Sequence, residues 1–304
     1  MFIENALKIK NNLWRYVVGI FIIFIFTQLG SIPLLVAIFQ KVGLEGAAKI
    51  NPSNMMTILE NSNLTFFYVL LTFFIGFIGF LIVIKFLHNQ SLKSVTTTRK
   101  SIDFKRVYTA FISISILILL NLLFSIYSSP NEYVFQFNLN DFFILFLIAV
   151  IFIPIQTSLE EYVFRGYLMQ GLGVFVKNRW FPLIFTSLSF GLLHLSNPEI
   201  DKIGNIIIIH YIVTGLFLGV ITLMDEGMEL ALGFHAGNNL LIALLVTADW
   251  TVFQTSSIFK YIGEPDIINQ TFFSLVIIYP LLLFYFSKKY QWTNWKEKLF
   301  GKIS

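Results

Sequence analysis

The sequence predicts an all-α, polytopic membrane protein of about eight transmembrane helices with an intramembrane active-site cavity. Three observations carry that prediction. Of 304 residues, 56% are hydrophobic and 12% charged, against roughly 25% charged in an ordinary soluble domain. Mean hydropathy is +0.76. Apolar residues come in long blocks between polar breaks instead of alternating along amphipathic elements, which is the pattern of membrane spans. The same composition excludes a disordered or collagen-like chain, and the net charge of +4 arises from scattered Lys and Arg without the basic face of a nucleic-acid binder. With 0 Cys, a disulfide framework, a thiolate metal site and a Cys nucleophile are all excluded.

A helix needs at least about 18 apolar residues to cross the hydrocarbon core. The first such run, 16–39, is too long for the apolar part of a signal peptide and has no convincing small-residue cleavage site, so it reads as a retained span. The second and third follow at 64–87 and 106–127, and the fourth, 141–173, is long and carries Pro154, which should kink it. The fifth, 181–195, is short and stops at Asn197-Pro198. The sixth and seventh occupy 204–224 and 229–248, and the eighth, 270–287, leads into a basic tail. By motif content the chain divides into an N-terminal region of about three spans (1–139), a catalytic core (140–250), and a last span with its tail (251–304).

Basic residues set the orientation, because short cytoplasmic loops retain Lys and Arg. With the N-terminus inside, the inner segments hold sixteen: Lys8, Lys10, Arg15, Lys85, Lys93, Arg99, Lys100, Lys105, Arg106, Lys177, Arg179, Lys288, Lys289, Lys296, Lys298 and Lys302. The outer loops hold four, Lys41, Lys49, Lys202 and Lys260. That split predicts a multi-pass protein of the cell membrane with both termini cytoplasmic. Asp225, Glu226 and Glu229 form an inner turn without a basic residue, most simply a solvated one. The tail, with Tyr290, Trp292 and Trp295, suits either an interfacial anchor on anionic membrane lipids or a solvated segment.

The fourth span contains Glu160-Glu161-Tyr162-Val163-Phe164-Arg165. Three ionisable groups inside an apolar helix would cost roughly 8–10 kcal/mol unpaired, so the pattern requires a compensating reason. Glu161 and Arg165 are four apart on one face and can neutralise each other. Glu160 points about 100° away and faces something else. His194, on the next helix, lies at a similar depth by helix count, although a lone His at a helix end can simply bond a carbonyl. In the seventh span His235 and Asn239 share a face, with Ala236 and Gly237 between them allowing close approach and Asn238 turned elsewhere. Counting from Glu229 puts His235 only about 9 Å into its helix, which requires either an inward-reaching cytoplasmic cleft or different span boundaries. Phe190 reads as packing, and structural roles suit His210, which lacks a charged neighbour in sequence, and His88, which lies in the basic inner loop. Together the group suits hydrolysis: a partly desolvated carboxylate activates water, an imidazole helps to hold it, and His and Asn donors stabilise an oxyanion. Gly-rich phosphate loops, zincin helices and nucleophile elbows are absent from the sequence.

Glu-Glu-x-x-x-Arg at Glu160 to Arg165, Phe-x-x-x-His at Phe190 to His194 and His-x-x-x-Asn at His235 to Asn239, in this order on successive apolar segments, resemble the type II CAAX prenyl endopeptidases and their bacterial relatives, the CPBP or Abi-type intramembrane proteases. The resemblance covers about residues 140–245. It implies that Glu160 is the base, that His194 helps to activate water, that His235 with Asn239 forms the oxyanion site, and that Glu161 and Arg165 support them.

The leading function is therefore an intramembrane endopeptidase acting on a membrane-associated peptide or protein, with a bacteriocin leader or pheromone precursor as the better substrate guess. Two alternatives compete. One is a non-proteolytic scaffold or bacteriocin-immunity protein of the same fold, with a sensor kinase or a bacteriocin system as its partner. The other is a proton-coupled transporter using Glu160, against which the lack of repeated halves counts. No cofactor is expected; the alternative is one divalent metal such as zinc at Glu160, His194 and His235, against which stands the absence of paired His at i, i+4.

Overall fold

The computed structural model describes residues 1–50, 55–265 and 273–303. Eight helices follow the apolar blocks: α1 Leu13–Ala47, α2 Ser62–Leu87, α3 Phe104–Ser128, α4 Leu139–Val176, α5 Trp180–Leu193, α6 Ile207–Asp225, α7 Glu229–Leu245 and α8, described from Ser274 to Lys289. Five of these, α1 to α4 and α6, are long and apolar enough to cross a membrane; α5 and α7 are shorter apolar helices. The protein is an all-α, polytopic membrane protein, as its composition predicts. The expected start of the eighth span, 270–272, lies outside the described residues.

Helix starts coincide with polar residues at the edges of the blocks. Asn61 caps α2 by accepting from Leu64 N, Asp103 caps α3 through Lys105 N, and Asn138 caps α4 through Asn140 N and Asp141 N. Each satisfies an amide that the first turn leaves without a helical partner. At the other ends Lys177 and Glu226 take left-handed backbone, φ 55° and 58°, and turn the chain sharply into α5 and α7.

α1 packs on α2, α2 on α4, and α4 on α7; α7 also packs on α3 and α6, and α6 on α5. Close approach of α7 to α3 depends on Gly233 and Gly237. A Cβ on Gly233 would collide with the Val107 carbonyl, and one on Gly237 would meet Ile114 and Phe111. Three apolar clusters result, around Tyr16, Phe80 and Tyr162, around Ile114, Phe217, Phe234 and Tyr279, and around Phe66, Leu145 and Ile153. Glu160 and Glu161 of α4 lie between Ile153 of the third cluster and Tyr162 of the first. Outward faces such as Val17, Phe21 and Phe24 of α1 stay exposed, as a lipid-facing surface requires.

Both termini lie at one end of the bundle, against the α4–α5 turn. Ile303 N donates to Lys177 O at 3.0 Å, and Arg179 pairs with Glu4 at 2.9 Å. The opposite end carries a small sheet that the apolar pattern does not announce: β1 Tyr133–Phe135, β2 Val246–Thr247 and β3 Phe259–Tyr261, in the order β1-β3-β2. Its strands are two or three residues long, too short for a period-2 pattern to be read.

Two sequence expectations fail at the terminal end. The Asp225-Glu226-Glu229 turn is not solvated: Asp225 is 5% and Glu229 0% exposed. Arg99 bridges them at 2.8 and 3.0 Å, Arg106 pairs with Asp225, and Trp292 Nε1 donates to Asp225 Oδ1 at 3.0 Å. Phe2 N donates to Glu226 Oε2 at 2.5 Å. The turn needs no basic residue of its own because its partners arrive from the 99–106 loop and the tail. The tail is accordingly neither a free nor a lipid-facing segment at Trp292, which is buried; the Tyr290 ring lies 3.9 Å from the Arg106 guanidinium, and Trp295, at 38%, is the most exposed of the three aromatics.

Candidate active site

α4 presents Gln156, Glu160, Glu161 and Arg165 in succession, and a π-helical stretch, Tyr162–Leu168, interrupts it directly after the glutamates. Such single-turn bulges re-aim side chains and recur at functional sites. Glu161 and Arg165 are both fully buried and pair at 3.1 Å, as their i, i+4 spacing predicts. Arg165 also donates to Gly215 O at 3.2 Å and lies 4.3 Å over the Phe190 ring. A pair this deep persists only with such added contacts, because desolvating two charges costs several kcal/mol.

His235, on α7, reaches both glutamates. Its Nδ1 donates to Glu161 Oε1 at 2.7 Å, and its Nε2 lies 3.5 Å from Glu160 Oε2. Glu161 accepts, so the Nδ1 proton is assigned and Nε2 faces the base. Glu160 retains some exposure (18% of its side chain), whereas Glu161 has none. Glu160 Oε1 accepts from Gln156 Nε2 at 2.7 Å, and Asn239 Nδ2 donates to Gln156 Oε1 at 3.2 Å. Asn238 is not turned away: it donates to Asn239 Oδ1 at 3.1 Å.

His194 closes α5 in a 3-10 turn, His194–Ser196. Its Nδ1 donates to Phe190 O at 2.7 Å, its ring stacks on Tyr211 at 4.2 Å, and it lies near enough to Glu160 for that charge to act on it. The carbonyl bond by itself is the ordinary helix-end arrangement. It also commits Nδ1 and leaves Nε2 as the free nitrogen. Phe190 is more than filler: its ring contacts Arg165, His194 and, at 6.0 Å between centroids, His235.

All six residues singled out from sequence therefore sit in one cluster. Gln156 was missed; its signal was a buried amide four residues before Glu160 on an apolar helix face. The depth conflict over His235 also resolves. A Cβ on Gly166 would meet Val95 and Met228, so the α6–α7 turn lies level with Gly166, six residues past Glu160 on α4. That is about 9 Å, the same rise that separates His235 from Glu229. α4 runs on past the turn, so Glu160 and His235 meet at one level of the bundle. His88 takes the structural role expected of it, buried between the Lys10 carbonyl and the Tyr167 hydroxyl at 2.7 Å each.

Among the described residues no group of three His, Asp or Glu side chains is placed to hold a metal ion; the Nδ1 bonds of His194 and His235, to a carbonyl and a carboxylate, leave each Nε2 uncommitted.

Comparison with known proteins bears on the same segment. Residues 138–241 match the family model described as type II CAAX prenyl endopeptidase Rce1-like. The resemblance carried by the three motifs thus holds over an Rce1-like segment that contains every residue of the cluster. Beyond it, the chain is 28% identical over 249 residues to "Uncharacterized protein YyaK" of Bacillus subtilis (strain 168), covering 80% of this chain and 81% of that one. No solved structure matches.

Proposed function

We propose that this Rce1-like membrane protein is an intramembrane endopeptidase of the cell membrane, hydrolysing a peptide bond of a membrane-associated peptide or protein. One observation carries the reading: a partly exposed carboxylate, Glu160, faces an imidazole nitrogen at 3.5 Å whose opposite nitrogen is held by a buried carboxylate. A water between Glu160 Oε2 and His235 Nε2 is polarised from both sides. Glu160 takes its proton as the oxygen attacks the scissile carbonyl. The second N–H of Asn239 then donates to the oxyanion that forms beside His235, and Glu160 returns the proton to the leaving amine. Glu161 keeps the imidazole oriented, as the third member of a catalytic triad does. His194 offers Nε2 to the same water from the α5 side. No metal takes part in this scheme.

The test is proteomics of peptides released by membranes carrying native protein or Glu160→Gln, with and without thorough chelation. Glu160→Gln is expected to abolish release while the protein stays folded in the membrane, and chelation to leave native release unchanged. Native-level release from Glu160→Gln would refute the base assignment. Lost release with an intact phenotype would move the biological role to the scaffold reading, and loss on chelation with recovery on Zn²⁺ would move the chemistry to a metal.

A further inference from the structure

Gln156 is 3% exposed and sits between two groups of the proposed machinery. A carboxylate only accepts, so the direction of the amide chain is set outward from Glu160. The Gln156 NH2 points to Glu160 Oε1, its carbonyl to Asn239 Nδ2, and the Asn239 carbonyl to Asn238 Nδ2, at 2.7, 3.2 and 3.1 Å. Reversing Gln156 would bring oxygen against oxygen at one end and NH2 against NH2 at the other. Two consequences follow. Glu160 Oε1 is occupied, so Oε2 is the oxygen that faces His235. One N–H of Asn239 is committed to Gln156, so the other is the one available to an incoming carbonyl.

We propose that Gln156 is a positioning residue that ties Glu160 on α4 to Asn239 on α7, selecting the oxygen that meets water and the N–H that meets the oxyanion. The role in catalysis rests on the endopeptidase reading; the tie to Glu160 does not. A glutamine that only filled its space would affect stability and leave Glu160 alone. The other charged or titratable groups around Glu160, namely His235, Glu161, Arg165 and His194, are the same in every variant below.

The probe is dicyclohexylcarbodiimide, which enters membranes and adds to protonated carboxyl groups, with the label on Glu160 of the full-length protein mapped by mass spectrometry. A hydrogen bond to a charged group favours the charged form, so Gln156→Leu is expected to raise labelling of Glu160 at neutral pH about tenfold. In Gln156→Glu the new side chain keeps the shape and regains a donor only when protonated. Its labelling should exceed wild type at neutral pH and converge on it as the pH falls. That variant keeps the test alive if Gln156→Leu fails to fold. On the precursor of the released peptide, Gln156→Leu should lower kcat roughly 100-fold with little change in KM, and should combine with Asn239→Ala to a loss smaller than the product of the two. Unchanged labelling in both Gln156 variants overturns the inference whatever the protease result. Altered labelling without any cleavage by wild type sustains the tie and fails the endopeptidase reading. Glu160-dependent cleavage with a wild-type kcat in Gln156→Leu fails the positioning role in catalysis and leaves that reading standing.

Discussion

His235 touches both members of the glutamate pair, and that contact separates what each glutamate does. Glu161 bears two partners, Arg165 and His235, on one buried oxygen. Its neutralisation is therefore expected to cost both fold and site. Glu161→Gln and Arg165→Leu should each destabilise by about 3–5 kcal/mol, because each leaves a buried charge without its counterpart. Glu160→Gln, at a partly exposed position, should not. Thermal unfolding of the detergent-purified proteins checks this, and equal melting of all three would contradict it. The sequence made the Glu161–Arg165 pair legible because i, i+4 spacing is a local rule. It could not show that His235, 74 residues on, shares the same oxygen. The link from Gln156 to Asn239 is hidden for the same reason, since it joins separate helices.

Among the elements, the connection between α5 and α6 shows how a short polar segment is held at the sheet end. Glu199 is 7% exposed, accepts from Val252 N at 2.7 Å on Oε1, and has no partner for Oε2. Burial pushes its carboxyl above the usual carboxylate range, against the opposing bond from Val252. A raised folded value means that its contribution to stability is whole below the unfolded-chain value, about 4.3, and is lost as pH rises through the folded one. Glu199→Gln is therefore expected to raise Tm by a few degrees at pH 7 and to lose that advantage at pH 4. Melting curves at the two pH values decide it; an equal gain at both would point to packing instead. All eight helices were legible from apolar blocks and the polar breaks between them. The sheet and the Glu199–Val252 link were not, because both pair segments remote in sequence.

For the whole molecule, the structure places both termini at one end of the bundle. Reporter fusions at positions 45, 132, 200 and 258 are expected to map together, outside, with both termini inside. Two or more of them mapping inside would overturn the span assignment. Three of the four basic residues assigned to those loops have acidic partners, Lys41 with Glu60, Lys202 with Glu264 and Lys260 with Asp249, so that end carries little free positive charge. At the terminal end the positive-inside rule was legible in number but not in use. Arg99, Arg106 and Arg179 read as loop charges, and the fold spends them on Asp225, Glu229 and Glu4.

The ties around Asp225 also set an order in time. Arg99 and Arg106 are synthesised before the turn they neutralise, and Trp292 after it. All the helices that carry Glu160, His194 and His235 precede Trp292 in the chain, so they are made while Asp225 still lacks its indole partner. A messenger broken before the Trp292 codon would thus leave the turn with its two arginines and without its indole.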